Sequence, residues 1–164
     1  MYKKRIADIL LERKLAGKGA VLIEGPKWCG KTTTASMQAK SILDLGDSEI
    51  LKESKSMIEI SPRKLLEGET PRLIDEWQTL PALWDSIRNL VDKRQEVSQF
   101  ILTGSSVLPE AYETTHSGTG RIGRIRMRPM SLYESEESNG RVSLKNLFEG
   151  KDFEIQENSL TIDD

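Results

Sequence analysis

One cysteine and one histidine in 164 residues exclude a zinc site built from His and Cys ligands. The lone thiol, Cys29, also excludes an intramolecular disulfide. With no signal segment ahead of it, that thiol fits a reducing, cytoplasmic setting. Long apolar runs are missing as well. Nowhere do 18 apolar residues stand together, so no membrane-spanning helix is expected. The N-terminal MYKKRIADILLERK breaks its apolar run with charge before a secretory core can form. Internal repeats and long low-complexity tracts are absent too.

What remains is a length suited to one domain with a respectable core, in which 37% of residues are hydrophobic. The net charge of −2 is small only as a sum. Glu134 to Asp164 holds nine acidic and three basic residues, which leaves 21 basic and 17 acidic in residues 1–133. Such asymmetry points to different surroundings for the two parts. Residues 1–133 read as the main domain. The acidic 134–164 reads as a lead-in to a further C-terminal domain, one that a truncated chain would lack.

The hydrophobic pattern predicts a helix over Lys3–Lys14, with Ile6, Ile9, Leu10 and Arg13 on one partly apolar face. A buried strand follows at Ala20–Glu24, then a helix over Lys31–Leu43 with Ala35, Ala39 and Ile42 inward. A second strand is expected at Ser56–Ile60, then a helix with Ser61 as N-cap and Pro62 at its first position. Strands are expected at Arg72–Asp75 and Gln99–Thr103. Between them Leu83, Trp84, Ile87, Leu90 and Val91 mark a helix. A fifth strand at Arg124–Arg128 sets three arginines on one face and Ile125 and Met127 on the other. Apolar strands alternating with amphipathic helices imply a parallel sheet covered on both faces.

Between the first strand and its helix lies GPKWCGKT, residues 25–32, which fits G-x-x-x-x-G-K-[ST] in the context that motif requires. Gly25 and Gly30 let the backbone curl, so that N–H groups of Gly25, Lys27, Trp28, Cys29 and Gly30 can face phosphate oxygens around Pro26. The helix start adds its amides and positive dipole end. Lys31 can bridge β- and γ-phosphates, Thr32 can ligate Mg²⁺, and Thr33 can meet the α-phosphate. Trp28 and Cys29 fill the free middle positions. A ring can stack near a nucleotide there and a thiol can be oxidised, but these positions also tolerate many side chains.

RLIDEWQ puts Asp75 and Glu76 at the C-terminal end of an apolar strand, the edge where open α/β sheets bind ligands. Asp75 there can hold the Mg²⁺ shell and Glu76 can polarise an attacking water, an arrangement expected of a hydrolase. In ILTGSS, Thr103 or Ser105 can orient that water or sense the γ-phosphate, though the same residues make ordinary turns. Neither N-K-x-D nor D-x-x-G occurs, so GTP is disfavoured. HSGTGRIGRIRMR holds Arg121, Arg124, Arg126 and Arg128 with no acid among them. Arg121 could reach a neighbouring subunit's nucleotide. Arg124, Arg126 and Arg128 could grip nucleic-acid phosphates, or simply protect an edge strand. His116 reads as a loop residue.

Together, RIADIL, GAVLIEGPKWCGKTTTA, PRLIDEWQ, FILTGSS and HSGTGRIGRIRMRPMSLYES resemble a large family of prokaryotic ATPases. Its members join an AAA-type P-loop domain to a C-terminal domain of unknown function. The resemblance implies a three-layer α/β P-loop NTPase fold of the additional-strand type, with five parallel strands in the order 5-1-4-3-2. It matches Lys31 and Thr32 to Walker A, Asp75 and Glu76 to Walker B, Thr103–Ser105 to sensor 1, and Arg121 to a candidate arginine finger acting in trans within a homo-oligomer. The expected activity is Mg²⁺-dependent ATP binding and hydrolysis, weak in the isolated domain. An ATP-gated binding switch for nucleic acid or protein and a small-molecule phosphotransferase are the alternatives.

Overall fold

A computed structural model of the chain describes residues 2–105, 120–140 and 142–151. Two compact units emerge, Ile6–Pro129 and a smaller one that joins the residues before Ile6 to those after Pro129.

The larger unit is built on a parallel five-stranded sheet. In chain order its elements are α1 (Ile6–Leu15), β1 (Ala20–Glu24), α2 (Lys31–Ser36), β2 (Ser41–Asp44), α3 (Ser48–Ile60), α4 (Pro62–Leu65), β3 (Arg72–Asp75), a 3-10 turn (Trp77–Thr79), α5 (Leu83–Arg94), β4 (Phe100–Gly104) and β5 (Ile122–Arg126). The strands lie in the order β2-β3-β4-β1-β5, as expected for a P-loop NTPase-like fold. Both faces are covered, which is why the strands read as continuous apolar runs. On one face Ala20, Leu22, Ile74, Phe100 and Leu102 pack under α3, α4 and α5 through Leu51, Ile58, Leu65, Leu83, Trp84 and Ile87. On the other, Val21, Ile23, Leu73, Ile101 and Ile125 pack under α1 and α2 through Ala7, Leu11, Leu15 and Ala35.

Three expectations are corrected. Ser56–Ile60 is not a strand but the last turns of α3. Asp47 caps that helix by accepting from the N–H groups of Glu49 at 2.8 Å and Ile50 at 3.2 Å. Leu51, Ser54 and Ile58 then follow at helical spacing on its inner side. The true β2 lies inside the stretch expected to be helical. The helix from Lys31 stops at Ser36, and Ser41–Asp44 pairs with Arg72–Asp75 in parallel register. This pairing with β3 makes Ser41–Asp44 an edge strand of the sheet. Ile42, expected to be inward, is 52% exposed on this edge strand. Finally, α1 buries Ala7, Leu11 and Leu15, while Ile6, Ile9 and Leu10 are exposed. The helix carries two apolar stripes, and the one that begins with a small alanine is the one that packs against the sheet.

Elsewhere Pro62 opens α4 as expected, but the Ser61 side chain makes no capping bond. The fifth strand starts and ends two residues earlier than expected, at Ile122–Arg126, and Met127 and Arg128 follow it; the alternation itself holds, with Arg124, Arg126 and Arg128 exposed and Ile125 and Met127 buried. In the smaller unit, Arg5 Nε pairs with Glu134 Oε1 at 3.0 Å, with both side chains buried. The Ser131 hydroxyl and N–H hold Glu134 Oε2 at 2.8 and 2.9 Å. A short helix, α6 (Leu144–Phe148), starts at Ser143, whose hydroxyl accepts from Asn146 N at 3.1 Å. Among the described residues, no helix is long and apolar enough to cross a membrane.

Candidate functional site

Parallel strands bring all their C-terminal ends to one edge, and there β1, β3, β4 and β2 deliver Gly25, Asp75, Thr103–Ser105 and Asp44 respectively. The loop from Gly25 to Gly30 leaves β1 and turns into α2 at Lys31. Gly30 takes φ 93°, ψ 20°, a left-handed turn that lets the chain enter the helix without strain. Trp28, also at positive φ of 65°, is 91% exposed, with the Lys27 ammonium 5.4 Å from its ring centroid. Cys29 is buried at the loop base, and its N–H donates to Pro26 O at 3.4 Å. Pro26 itself has no N–H to offer. Thr33 faces solvent on the first turn of α2.

Lys31 is buried, and its Nζ donates to the carbonyls of Gly25 at 3.1 Å and Pro26 at 2.9 Å. An ammonium has three donors, so one remains after these two bonds. The Thr32 hydroxyl donates to Asp75, 2.9 Å from Oδ1 and 3.0 Å from Oδ2. The loop and the acidic strand end therefore meet at one point. Thr103, fully buried, donates to Asp75 Oδ1 and accepts from Glu76 N at 3.3 Å. Glu76 adopts a left-handed conformation with φ 52° and begins the 3-10 turn. Gln78 in that turn donates through Nε2 to Glu76 Oε2 and lies 3.4 Å from Ser105 Oγ.

Burial raises the pKa of the Asp75 carboxyl, and the neighbouring charges of Asp44 and Glu76 add to the rise, against hydrogen bonds from Thr103 and Thr32 that lower it. A cation seated beside these carboxylates would relieve that strain. The donor set of hydroxyl and carboxylate oxygens suits a hard ion such as Mg²⁺. No cluster of three or more His, Cys, Asp or Glu side chains fit to hold a metal alone occurs among the described residues. Phosphate oxygens and water would have to complete the shell.

Asp44 was not anticipated. It is the register partner of Asp75 across β2 and β3, and its Oδ1 accepts from Gly46 N at 2.9 Å. With Lys31–Leu43 read as helix, Asp44 is not placed at a strand end. The available signal was the short SILD followed by Gly46 and the capping Asp47.

Arg121 is not brought to this edge. It precedes β5, at the opposite end of the sheet, where its carbonyl accepts from Ala20 N at 3.4 Å and its guanidinium pairs with Asp92 of α5. Five strand residues separate it from the loop, about 16 Å at 3.3 Å per residue. Arg126 ends β5, and Arg128 lies just beyond it, past Met127, whose carbonyl is beside Gly25. Arg124 Nη1 pairs with Glu24 Oε1 at 3.4 Å. His116 lies outside the described residues.

Comparison with known proteins is consistent with this geometry. A family model described as AAA domain matches residues 17–136. Two uncharacterized mycobacterial proteins, one from Mycobacterium bovis and one from Mycobacterium tuberculosis, are each 27% identical over 134 residues. Each alignment covers 80% of this chain but 30% of the relative, so the chain spans about a third of the relatives' length.

Proposed function

The chain belongs to the AAA-domain family, whose fold is that of a P-loop, ATPase-like nucleotide-binding domain, and from that premise we propose that it binds Mg-ATP and hydrolyses it. The observation that carries the reading is the Thr32 hydroxyl donating to both oxygens of Asp75. It joins the phosphate-loop helix to the acidic strand end where a nucleotide-bound ion would sit. The loop N–H groups from Lys27 to Thr33 would cradle the phosphates, with Trp28 outward and Pro26 shaping the turn. Lys31 would turn its remaining N–H to the β- and γ-phosphates, and Thr32 and Asp75 would hold the ion. When bound, Mg²⁺ supplies charge stabilisation to the phosphate oxygens.

Glu76 orients a water in line with the γ-phosphate and takes its proton as the P–O bond breaks. Thr103 fixes both acidic residues, and Ser105 senses the γ-phosphate from the β4 loop. Residues 1–133 form the nucleotide-handling part, and the single thiol suits a cytoplasmic setting. Replacing Glu76 with Gln should leave ATP binding within about twofold and slow hydrolysis by roughly a hundredfold or more. Normal turnover in that variant would remove Glu76 from the role.

A second reading has its own observation. The exposed Arg124 and Arg126 lie on one face of β5, and exposed Arg128 follows two residues past its end. Nucleotide binding could then gate contact with nucleic-acid phosphates. Filter binding at low and high salt, with and without ATP, tests this. Retention that ignores both salt and ATP would dismiss it.

A further inference from the structure

Gln78 touches the residue on which the proposed hydrolysis depends, and its surroundings leave it little freedom. It sits in the middle of the 3-10 turn that follows Glu76, a turn anchored by Trp77, which is buried and lies 4.9 Å from the Trp84 ring. The anchored turn folds Gln78 back over its neighbour two positions earlier. Gln78 presents Nε2 to Glu76, donating to its Oε2. Nε2 also lies 3.4 Å from Ser105 Oγ. That orientation sends Oε1 against the end of β4, where it is buried with no hydrogen-bond partner among the described residues. A Cβ on Gly104 would come within 2.5 Å of Oε1 and 3.0 Å of Trp77 Nε1, so the strand end must stay bare for the amide to fit. An acceptor left unsatisfied is costly. The Nε2 bond to Glu76 sets this orientation of the amide.

We propose that Gln78 is a positioning residue: its amide fixes the direction of the Glu76 carboxylate and ties it to Ser105 of the loop after β4. This rests on the reading of Glu76 as the group that orients the attacking water. The two carboxylates of the site are thereby held from one strand end, Asp75 by Thr103 and Glu76 by Ser105 through Gln78.

The test compares Gln78→Met, Gln78→Glu and Glu76→Gln in the full 164-residue chain. Methionine keeps the length and packing of glutamine but cannot donate. Glutamate keeps the shape and places a second acceptor against the first. Both variants should lower kcat for ATP roughly ten- to a hundredfold, as small misplacements of a reacting group do. KM and the Kd for a fluorescent ATP analogue should stay within about twofold of wild type, since Gln78 does not touch the phosphate loop. A residue needed only for packing would tolerate methionine. Wild-type kcat in Gln78→Met, or a change in KM alone, overturns the proposal. Should Gln78→Met fail to bind the analogue, Gln78→Glu decides by the same criteria. If Glu76→Gln retains full turnover, the reading of Glu76 fails. If Glu76→Gln is inactive while Gln78→Met and Gln78→Glu are both fully active, only the role of Gln78 fails.

Discussion

Thr103→Val tests whether one hydroxyl holds the acidic pair. The side chain is fully buried, and its oxygen both donates to Asp75 Oδ1 and accepts from Glu76 N at 3.3 Å. Valine has nearly the same shape, so no cavity opens. What disappears is a hydrogen bond to a carboxylate, about 1.5–3 kcal/mol, and a long backbone one at the low end of about 0.5–1.5 kcal/mol. Together they predict a loss of about 2–4 kcal/mol near neutral pH. The loss should depend on pH. Burial already holds the Asp75 carboxyl above its ordinary value, and donation from Thr103 is one of the forces restraining it. Without that donor the folded value rises further, so the penalty is full where both proteins carry an ionised Asp75. It should shrink as pH falls through the variant's value and then the wild-type value. Urea unfolding without nucleotide, followed by the fluorescence of Trp77 and Trp84, measures the difference across a pH series. A loss below about 0.5 kcal/mol at neutral pH, within the range of a bland surface change, would refute the reasoning. So would an equal loss at every pH.

Three further outcomes are expected. A raised Asp75 pKa means that the stability it confers is complete below its ordinary value of 3.8 and is lost as pH rises through the folded value. Asp75→Asn should therefore raise Tm near neutral pH, with no gain in strong acid, while removing Mg²⁺-dependent activity; a lower neutral-pH Tm would contradict this. Gly104→Ala should cost about 1–3 kcal/mol in unfolding experiments and slow hydrolysis, because its methyl displaces Gln78 and Trp77. Full stability would show that the turn has room to yield. Arg121 pairs with Asp92 away from this chain's own phosphate loop; if it serves a neighbouring copy's nucleotide, specific activity should rise with protein concentration and fall in Arg121→Ala. Activity that ignores concentration, or an unchanged rate in the variant, would end that role.

The parts of this fold that sequence made legible are those with fixed spacing or full burial. GPKWCGKT requires a loop between strand and helix, and Leu73–Asp75 and Ile101–Thr103 are apolar enough to read as buried strands. The edge strand β2 is different. Only Leu43 of its four residues is buried, so no alternation marks it, and its place in the sheet is decided by pairing with β3. Asp44 was hidden for that reason. α1 shows a related limit: helical period fixes that Ile6, Ile9 and Leu10 share a face, but not that Ala7, Leu11 and Leu15 form the face that packs. The role of Gln78 could not be seen in LIDEWQ at all, because it depends on a left-handed Glu76 and a bare Gly104 on another strand.

The central claim is that the phosphate loop and the Asp75–Glu76 strand end form one Mg-ATP site. Calorimetric titration of ATP into the wild-type chain and Lys31→Ala, each with Mg²⁺ and with a chelator, tests it most directly. The account predicts saturable binding to wild type that tightens with Mg²⁺, and loss of that binding in Lys31→Ala. Equal affinity in the two proteins, or binding indifferent to Mg²⁺, would contradict it.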